Sequence, residues 1–188
     1  MLWNILQAHG GSLPDGVVVC FQNTGLEHEK TLEFIRDVEA KWGVPITWLE
    51  ASTEYEEGRK SPHTYKVVDF CTASRNGEPF EALIKARQML PTVMARFCTV
   101  ELKMRTLKRY LKQKFGWTEY DVAIGIRADE PRRVARMKGD HKGENPVMPI
   151  ARAGHSERDV LAFWEAQDFD LDLPGGDNTS GNCTGCFL

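Results

Sequence analysis

The chain has 188 residues, of which 41% are hydrophobic and 27% are charged, and its formal net charge at pH 7 is −3. Length and composition suit one ordinary soluble domain, with no bilayer-spanning segment and no signal peptide, so we expect a cytoplasmic protein without membrane contact. The slight negative charge argues against generic binding to nucleic-acid backbones, although a local basic face is compatible with it.

The first predicted elements alternate between helix and strand. Residues 2–8 resemble the end of a helix, and the apolar run 17–21 is typical of a strand buried on both faces of a parallel sheet. Thr24 and Glu27 have the spacing of a capping box, which predicts that a helix begins there. The predicted helix has an apolar stripe formed by Leu32, Ile35, Val38 and Trp42.

A second strand is predicted at 46–49, and the polar, irregular stretch 50–77 predicts a long functional loop. Helical patterns return over 80–90 and 99–115, and a further buried strand is predicted at 121–126.

Ser156 and Asp159 have the spacing that begins a last helix. We expect a domain over 1–172 and a tail rich in glycine and asparagine over 173–188. The alternation predicts an α/β fold with a doubly wound, mostly parallel sheet and helices on both faces.

Two predicted strands end in polar segments that contain glycine. Ligands of open α/β sheets bind beyond the carboxyl ends of the strands, so these segments are candidate walls of one anion or nucleotide pocket. The alternative is a purely structural role, in which Thr24 only caps a helix and Asn23 only forms a turn. The candidate ligand-binding residues are Asn23, Thr24, Gly25, Glu27, Gly125 and Arg127.

The five cysteines indicate thiols or metal ligands rather than disulfides, because no secretory signal is present. Cys183 and Cys186 have the two-residue spacer that lets two thiolates reach one ion, and Cys98 is the natural third ligand. A fourth ligand is not evident: Cys71 and His155 are candidates, and an open position is an alternative. The competing interpretation of the pair is an inert, flexible terminus.

Basic residues concentrate in two further places. Those within 127–142 suit a polyanionic ligand, although a solvated loop explains most of them equally well. Those on the predicted helix 99–115 are typical of a solvated face, except that Lys103 and Arg105 lie near its start, close to Cys98.

Four segments, in chain order, resemble motifs of the phosphoadenosine phosphosulfate (PAPS) reductase family, within the adenine nucleotide alpha-hydrolase-like superfamily. The similarity extends over nearly the whole chain. The segments are Asn23-Thr24-Gly25 with Glu27 and Thr31; Phe97-Cys98-Thr99 with Leu102-Lys103; Gly125-Ile126-Arg127 with Glu130 and Arg133; and Asn145-Pro146-Val147-Met148-Pro149-Ile150 with Asp159-Val160 and Trp164.

The resemblance implies binding of an adenine nucleotide, PAPS or ATP, for sulfur chemistry. In the family reaction PAPS is reduced to sulfite at the expense of a thiol donor protein. Lys103 and Arg127 would then be the catalytic residues that stabilise the phosphosulfate charge. The strand-end segments would hold the nucleotide, and the cysteines would hold a 4Fe-4S cluster or zinc.

Three departures from the family pattern matter. The pyrophosphate loop Ser-Gly-Gly-x-x-Ser and the first strand are absent, so we expect either a truncated chain or a variant without normal phosphate binding. The reductase tail Glu-Cys-Gly-Leu-His is also absent. Phe97 occupies one position of the family's cysteine pair, which leaves Cys98, Cys183 and Cys186.

Two alternatives therefore stay open. Three cysteines can hold a cubane with one open iron, which favours an ATP-dependent sulfur transferase acting on a nucleic-acid base. The missing loop favours a truncated, non-catalytic binding protein stapled by zinc. Only the first of these alternatives needs a nucleic-acid partner.

Overall fold

A computed structural model describes residues 1–137, 139 and 143–174. Within these residues the helices and strands are, in chain order, α1 (Leu2–Ala8), β1 (Val19–Asn23), α2 (Glu29–Trp42), β2 (Ile46–Ala51), β3 (Tyr65–Val68), α3 (Glu78–Arg87), a π-helical turn (Thr99–Met104), α4 (Arg105–Phe115), β4 (Tyr120–Ala123), α5 (Pro131–Arg136), β5 (Glu144–Val147), α6 (Pro149–Arg152) and α7 (Glu157–Glu165). The predicted α/β class is confirmed. The chain forms two compact units: unit 1 holds residues 1–14 and 116–170, and unit 2 holds residues 15–115 and 171–174.

Unit 2 contains a three-stranded sheet in the order β1-β2-β3. β1 and β2 are parallel, and Phe21 lies opposite Trp48 with the two rings edge to face at 5.0 Å. β3 is antiparallel to β2. Helix α2 connects the parallel pair and buries Leu32 and Val38 of the predicted stripe, while α4 contacts all three strands. This arrangement brings the carboxyl ends of β1 and β2 to the same edge of the sheet.

Helix α2 begins later than the sequence predicts. Its first residue is Glu29, and the ring Nδ1 of His28 caps it by accepting the Lys30 amide at 3.1 Å. The predicted capping pair does form hydrogen bonds, but these close a separate turn between β1 and the helix. The predicted helix start at Thr24 is therefore wrong. The hydrogen bonds between Thr24 and Glu27 belong to a turn that precedes the first helical residue, Glu29.

Unit 1 contains a two-stranded parallel sheet of β4 and β5, which are connected through α5. The predicted cap of the last helix is confirmed: the Ser156 hydroxyl donates to Asp159 Oδ2 at 2.6 Å, and the Ser156 amide donates to the same oxygen at 2.8 Å. These bonds hold the pKa of Asp159 below its ordinary value. The predicted helix over residues 2–8 is also confirmed.

Three further predictions needed correction. The stretch 50–77 is not all loop, since it contains β3 and the end of β2. The helix expected over 99–115 is formed, but its residues 99–104 are π-helical, and the Arg105 amide donates to the carbonyl of Val100. The sheets are small and of mixed pairing, so the α/β class holds while a doubly wound sheet is not shown. In the described part of the chain, no helix is long and apolar enough to cross a membrane.

Gly25 provides the test of how closely the chain packs after β1. Its φ is +81°, and a Cβ there would lie 3.0 Å from Pro79 Cδ and 3.1 Å from Gly77 Cα. Gly43, which ends α2, has φ +62° and nothing within 4 Å of such a Cβ. Gly43→Ala should lose only the conformational cost of roughly 1–2 kcal/mol. Gly25→Ala should lose about 1–3 kcal/mol more, because the loop must move.

Urea unfolding followed by tryptophan fluorescence measures both losses. Equal destabilisation by the two variants would contradict the packing constraint at Gly25.

Candidate functional site

The end of β1 is a buried polar junction. Asn23 is fully buried, and its amide Nδ2 donates to Glu50 Oε1 at 2.7 Å and to the carbonyl of Ser74 at 2.8 Å. Glu50, on β2, also accepts the Ser74 amide at 2.6 Å and the Ser74 hydroxyl at 2.9 Å. Asn23 therefore joins the two parallel strand ends to the loop before α3, which is a structural role that the sequence pattern did not separate from ligand binding.

Two of the predicted motifs meet at Glu27. Its side chain is completely buried and accepts the amide of Thr24 at 2.8 Å and the hydroxyl of Thr24 at 2.9 Å. Lys103, from the π turn, places Nζ 3.3 Å from Glu27 Oε1 and keeps 27% of its side chain exposed. The lysine thus neutralises a buried carboxylate while part of its side chain stays exposed.

Gly25 is held against the segment that precedes α3. Its carbonyl accepts the Gly77 amide at 2.9 Å, and the space that a Cβ would need is filled by Gly77 and Pro79. Helix α2 begins only at Glu29, four residues after Gly25, so its first-turn amides do not follow Gly25 directly.

Gly125 and Arg127 follow β4 in unit 1, whereas the residues from Asn23 to Glu27 and Lys103 belong to unit 2. Arg127 is surrounded by carboxylates. Its guanidinium Nε lies 3.0 Å from Asp129 Oδ1 and 3.9 Å from Glu130 Oε2, and Nη2 lies 3.8 Å from Glu157 Oε1.

The backbone of Arg127 also binds one of these carboxylates. Its amide donates to Glu130 Oε2 at 3.0 Å, and this bond keeps the pKa of Glu130 below its ordinary value. The basic stretch 127–142 contains the short helix α5, and Arg133 in it donates to Glu130 at 2.6 Å. An anionic ligand at Arg127 would have to replace carboxylate contacts that already exist.

The cysteines divide by environment. Cys98 is half-buried, precedes the π turn and packs with Phe97 against the core residues Leu83 and Leu102. Cys71 is exposed, and burial raises the pKa of Cys20 to about 11, which makes Cys20 a poor thiolate.

Cys183 and Cys186 lie outside the described residues, so the predicted three-cysteine site is described only at Cys98. Among the described residues, no group of three histidine, cysteine or acidic side chains is arranged to hold a metal ion. Cys98 alone does not define a metal site. Of the two candidates for a fourth ligand, Cys71 belongs to unit 2 and His155 to unit 1.

Sequence reasoning missed a buried ionic cluster around Glu101, whose side chain is 2% exposed. Glu101 Oε1 accepts Arg87 Nη2 at 2.5 Å and Arg105 Nη1 at 2.7 Å. In the described part of the chain, four buried polar atoms of this neighbourhood have no hydrogen-bond partner: Tyr55 Oη, Arg87 Nε, Glu101 Oε2 and Arg109 Nη1. Burial, assisted by the charge of Glu101, raises the pKa of Tyr55 to about 12.

One sequence signal marks this cluster in retrospect. Glu101 is the single acidic residue between Lys85 and Phe115, in a stretch crowded with lysine and arginine. A lone acid among many bases is the natural centre of an ion-pair cluster.

Two open clefts lie away from the predicted site residues. One, of about 450 Å³, is lined by Tyr55 and by residues of α3 such as Glu81 and Lys85. The other, of about 550 Å³, lies in unit 1 beside Tyr120 and Glu144. Neither is lined by one of the candidate ligand-binding residues, although the cleft in unit 1 is also lined by Asn145 of the fourth motif segment.

Comparison with known proteins finds relatives in bacteriophages. The chain is 34% identical over 169 residues to the uncharacterized nin region protein ORF290 of Escherichia phage lambda, covering 89% of this chain and 54% of that protein. It is 26% identical over 170 residues to an uncharacterized 37.8 kDa protein in the gpa 5' region of Escherichia phage 186, covering 76% of this chain and 51% of that protein. The chain thus spans about half the length of the curated relatives it matches. No family model matches the chain, and no solved structure matches it.

The Glu101 cluster makes a prediction about stability. Glu101→Gln removes the buried charge that neutralises two arginines, and breaking such a pair costs about 3–5 kcal/mol of unfolding free energy. Arg105→Gln is the matched control, because 51% of the Arg105 side chain is exposed and Arg87 still pairs with Glu101. Its cost should be about 1 kcal/mol or less. Urea unfolding measures both, and a Glu101→Gln loss no larger than the control would show that the cluster is not stabilising.

Proposed function

We propose that the chain is an adenine-nucleotide-binding protein of the PAPS reductase family, with reduction of PAPS to sulfite as its reaction. The observation that carries this proposal is the contact between Glu27 and Lys103. These residues come from two family-like motifs that are far apart in the sequence, and their side chains lie 3.3 Å apart at the carboxyl edge of a parallel pair. That edge is where open α/β sheets bind their ligands.

The proposed fold is the doubly wound sheet of the nucleotide-binding superfamily. Two features support it: β1 and β2 are parallel and joined by α2, and β4 and β5 are parallel and joined by α5. Parallel strands joined through helices are the repeating unit of doubly wound folds.

In the proposed reaction a thiolate attacks the sulfur of PAPS, the sulfur–oxygen bond to the nucleotide breaks, and adenosine bisphosphate leaves. A second thiol then attacks the sulfur that carries the sulfonate, so that a disulfide forms and sulfite is released. The thiol donor supplies both electrons. Lys103 would oppose the phosphosulfate charge, held in place by Glu27, and Arg127 would do the same after exchanging carboxylate partners for the ligand.

Calorimetric titration with PAPS and with ATP tests the proposal. Loss of one charged hydrogen bond to the ligand is worth about 1.5–3 kcal/mol, or roughly 10- to 100-fold in affinity. Arg127→Ala should weaken PAPS binding by this factor. Arg158→Ala, at an exposed arginine of α7 in the same unit, should leave it unchanged.

Lys103→Met and Lys103→Arg form a second matched pair for the same titration. Only Lys103→Arg preserves the charge opposite Glu27, so Lys103→Met should weaken PAPS binding more. No binding of either nucleotide to the wild type would overturn the proposal. Preferred binding of ATP would favour the sulfur-transferase alternative over the reductase.

The metal site is proposed from the sequence, and its test is metal content rather than activity. Protein purified without oxygen should contain iron with labile sulfide, or zinc, and each of Cys98→Ser, Cys183→Ser and Cys186→Ser should reduce that content. Cys20→Ser is the control, because Cys20 is not a candidate ligand and burial raises the pKa of its thiol to about 11. Iron with sulfide would favour the sulfur transferase, and zinc would favour the binding protein stapled by zinc. Absence of both metals would rule out the proposed metal site.

A further inference from the structure

The charge of this chain is divided very unevenly. Residues 85–115, named here the basic segment, contain nine lysines and arginines and one acid, for a net charge of +8. The whole chain carries −3, so the remaining residues carry −11. The basic segment comprises the end of α3, a connecting loop, the π turn and α4.

The one acid of the basic segment does not offset the positive surface. Glu101 is 1% exposed and holds Arg87 and Arg105 through its Oε1. Its carboxylate is therefore withdrawn from solvent, and the exposed charges contributed by this segment all have one sign.

Helix α4 carries five of these basic residues and no acid: Arg105, Lys108, Arg109, Lys112 and Lys114. Thr106, Tyr110 and Leu111 are buried, and α4 contacts the three strands of unit 2. The side chains of Lys112 and Lys114 are exposed, and within the described residues neither makes an ion pair. At 1.5 Å per residue, α4 from Arg105 to Lys114 extends over about 13 Å. One nucleic-acid strand presents a phosphate about every 3.4 Å, so this length faces about four phosphates.

We propose that the basic segment binds the phosphate backbone of a nucleic acid. A linear polyanion matches a helix that carries five basic residues and no acid. An anionic membrane is the weaker match, because interfacial helices insert an apolar face and the apolar face of α4 already packs on the sheet.

The inference does not rest on the reductase proposal. It needs no nucleotide in the candidate site and no metal, and PAPS binding can fail while nucleic-acid binding succeeds.

Fluorescence anisotropy with a labelled single-stranded oligonucleotide and the matching duplex tests this inference. The wild type should bind with an affinity that falls between about 50 and 200 mM salt. Lys112→Glu with Lys114→Glu should weaken binding at least tenfold. If both lysines contact phosphates of a single strand, the salt slope should fall by about 1.4.

The matched control is Lys60→Glu with Lys66→Glu, which changes the net charge equally at two exposed lysines outside the basic segment. It should retain the wild-type slope. Equal loss in both double variants, absence of binding by the wild type, or equally tight binding to phosphatidylserine vesicles would each overturn the inference. Far-UV circular dichroism checks that each variant is folded, and the wild-type salt slope tests the inference without any variant.

Discussion

Three glutamates are buried in unit 2, and each is held by partners from a different part of the chain. Glu50 is held by Asn23 and by the loop before α3, Glu27 by Lys103, and Glu101 by two arginines. A buried carboxylate is tolerated only when it is paired or hydrogen-bonded. These pairings therefore fix where the ends of β1 and β2, the start of α3 and the π turn lie with respect to one another, and the candidate site is assembled from those same pieces.

The parts of the fold that the sequence predicted correctly are those determined by neighbouring residues. The Ser156 cap and the helix over residues 2–8 depend on bonds and backbone angles within a few positions. Strand β3 was missed because it is only four residues long and its place is set by pairing with β2. The π turn was missed because the sequence pattern of 99–115 fits an α-helix throughout. The contact of Glu101 in this turn with Arg87 joins residues far apart in sequence and has no local signal.

The candidate site shows the same division. The pairing of Thr24 with Glu27 was visible as a local spacing, although it closes a turn instead of a helix. The link from Glu27 to Lys103 has no local signature, and neither does the contact between Arg127 and Glu157 of α7. A motif can therefore identify residues with suitable chemistry without revealing which of their side chains already bind partners within the protein.

The π turn before α4 has a consequence for how this chain tolerates change. A π turn holds about one residue more per turn than an α-helix, and one residue corresponds to about 100° of helical rotation. The turn thus shifts the angular position of Lys103 around the helix axis relative to Tyr110 and Leu111. Substitutions on the sheet-facing side of α4 can leave the direction of the Lys103 side chain unchanged. A single-residue deletion within 99–104 would instead rotate Lys103 around the helix axis relative to Tyr110 and Leu111.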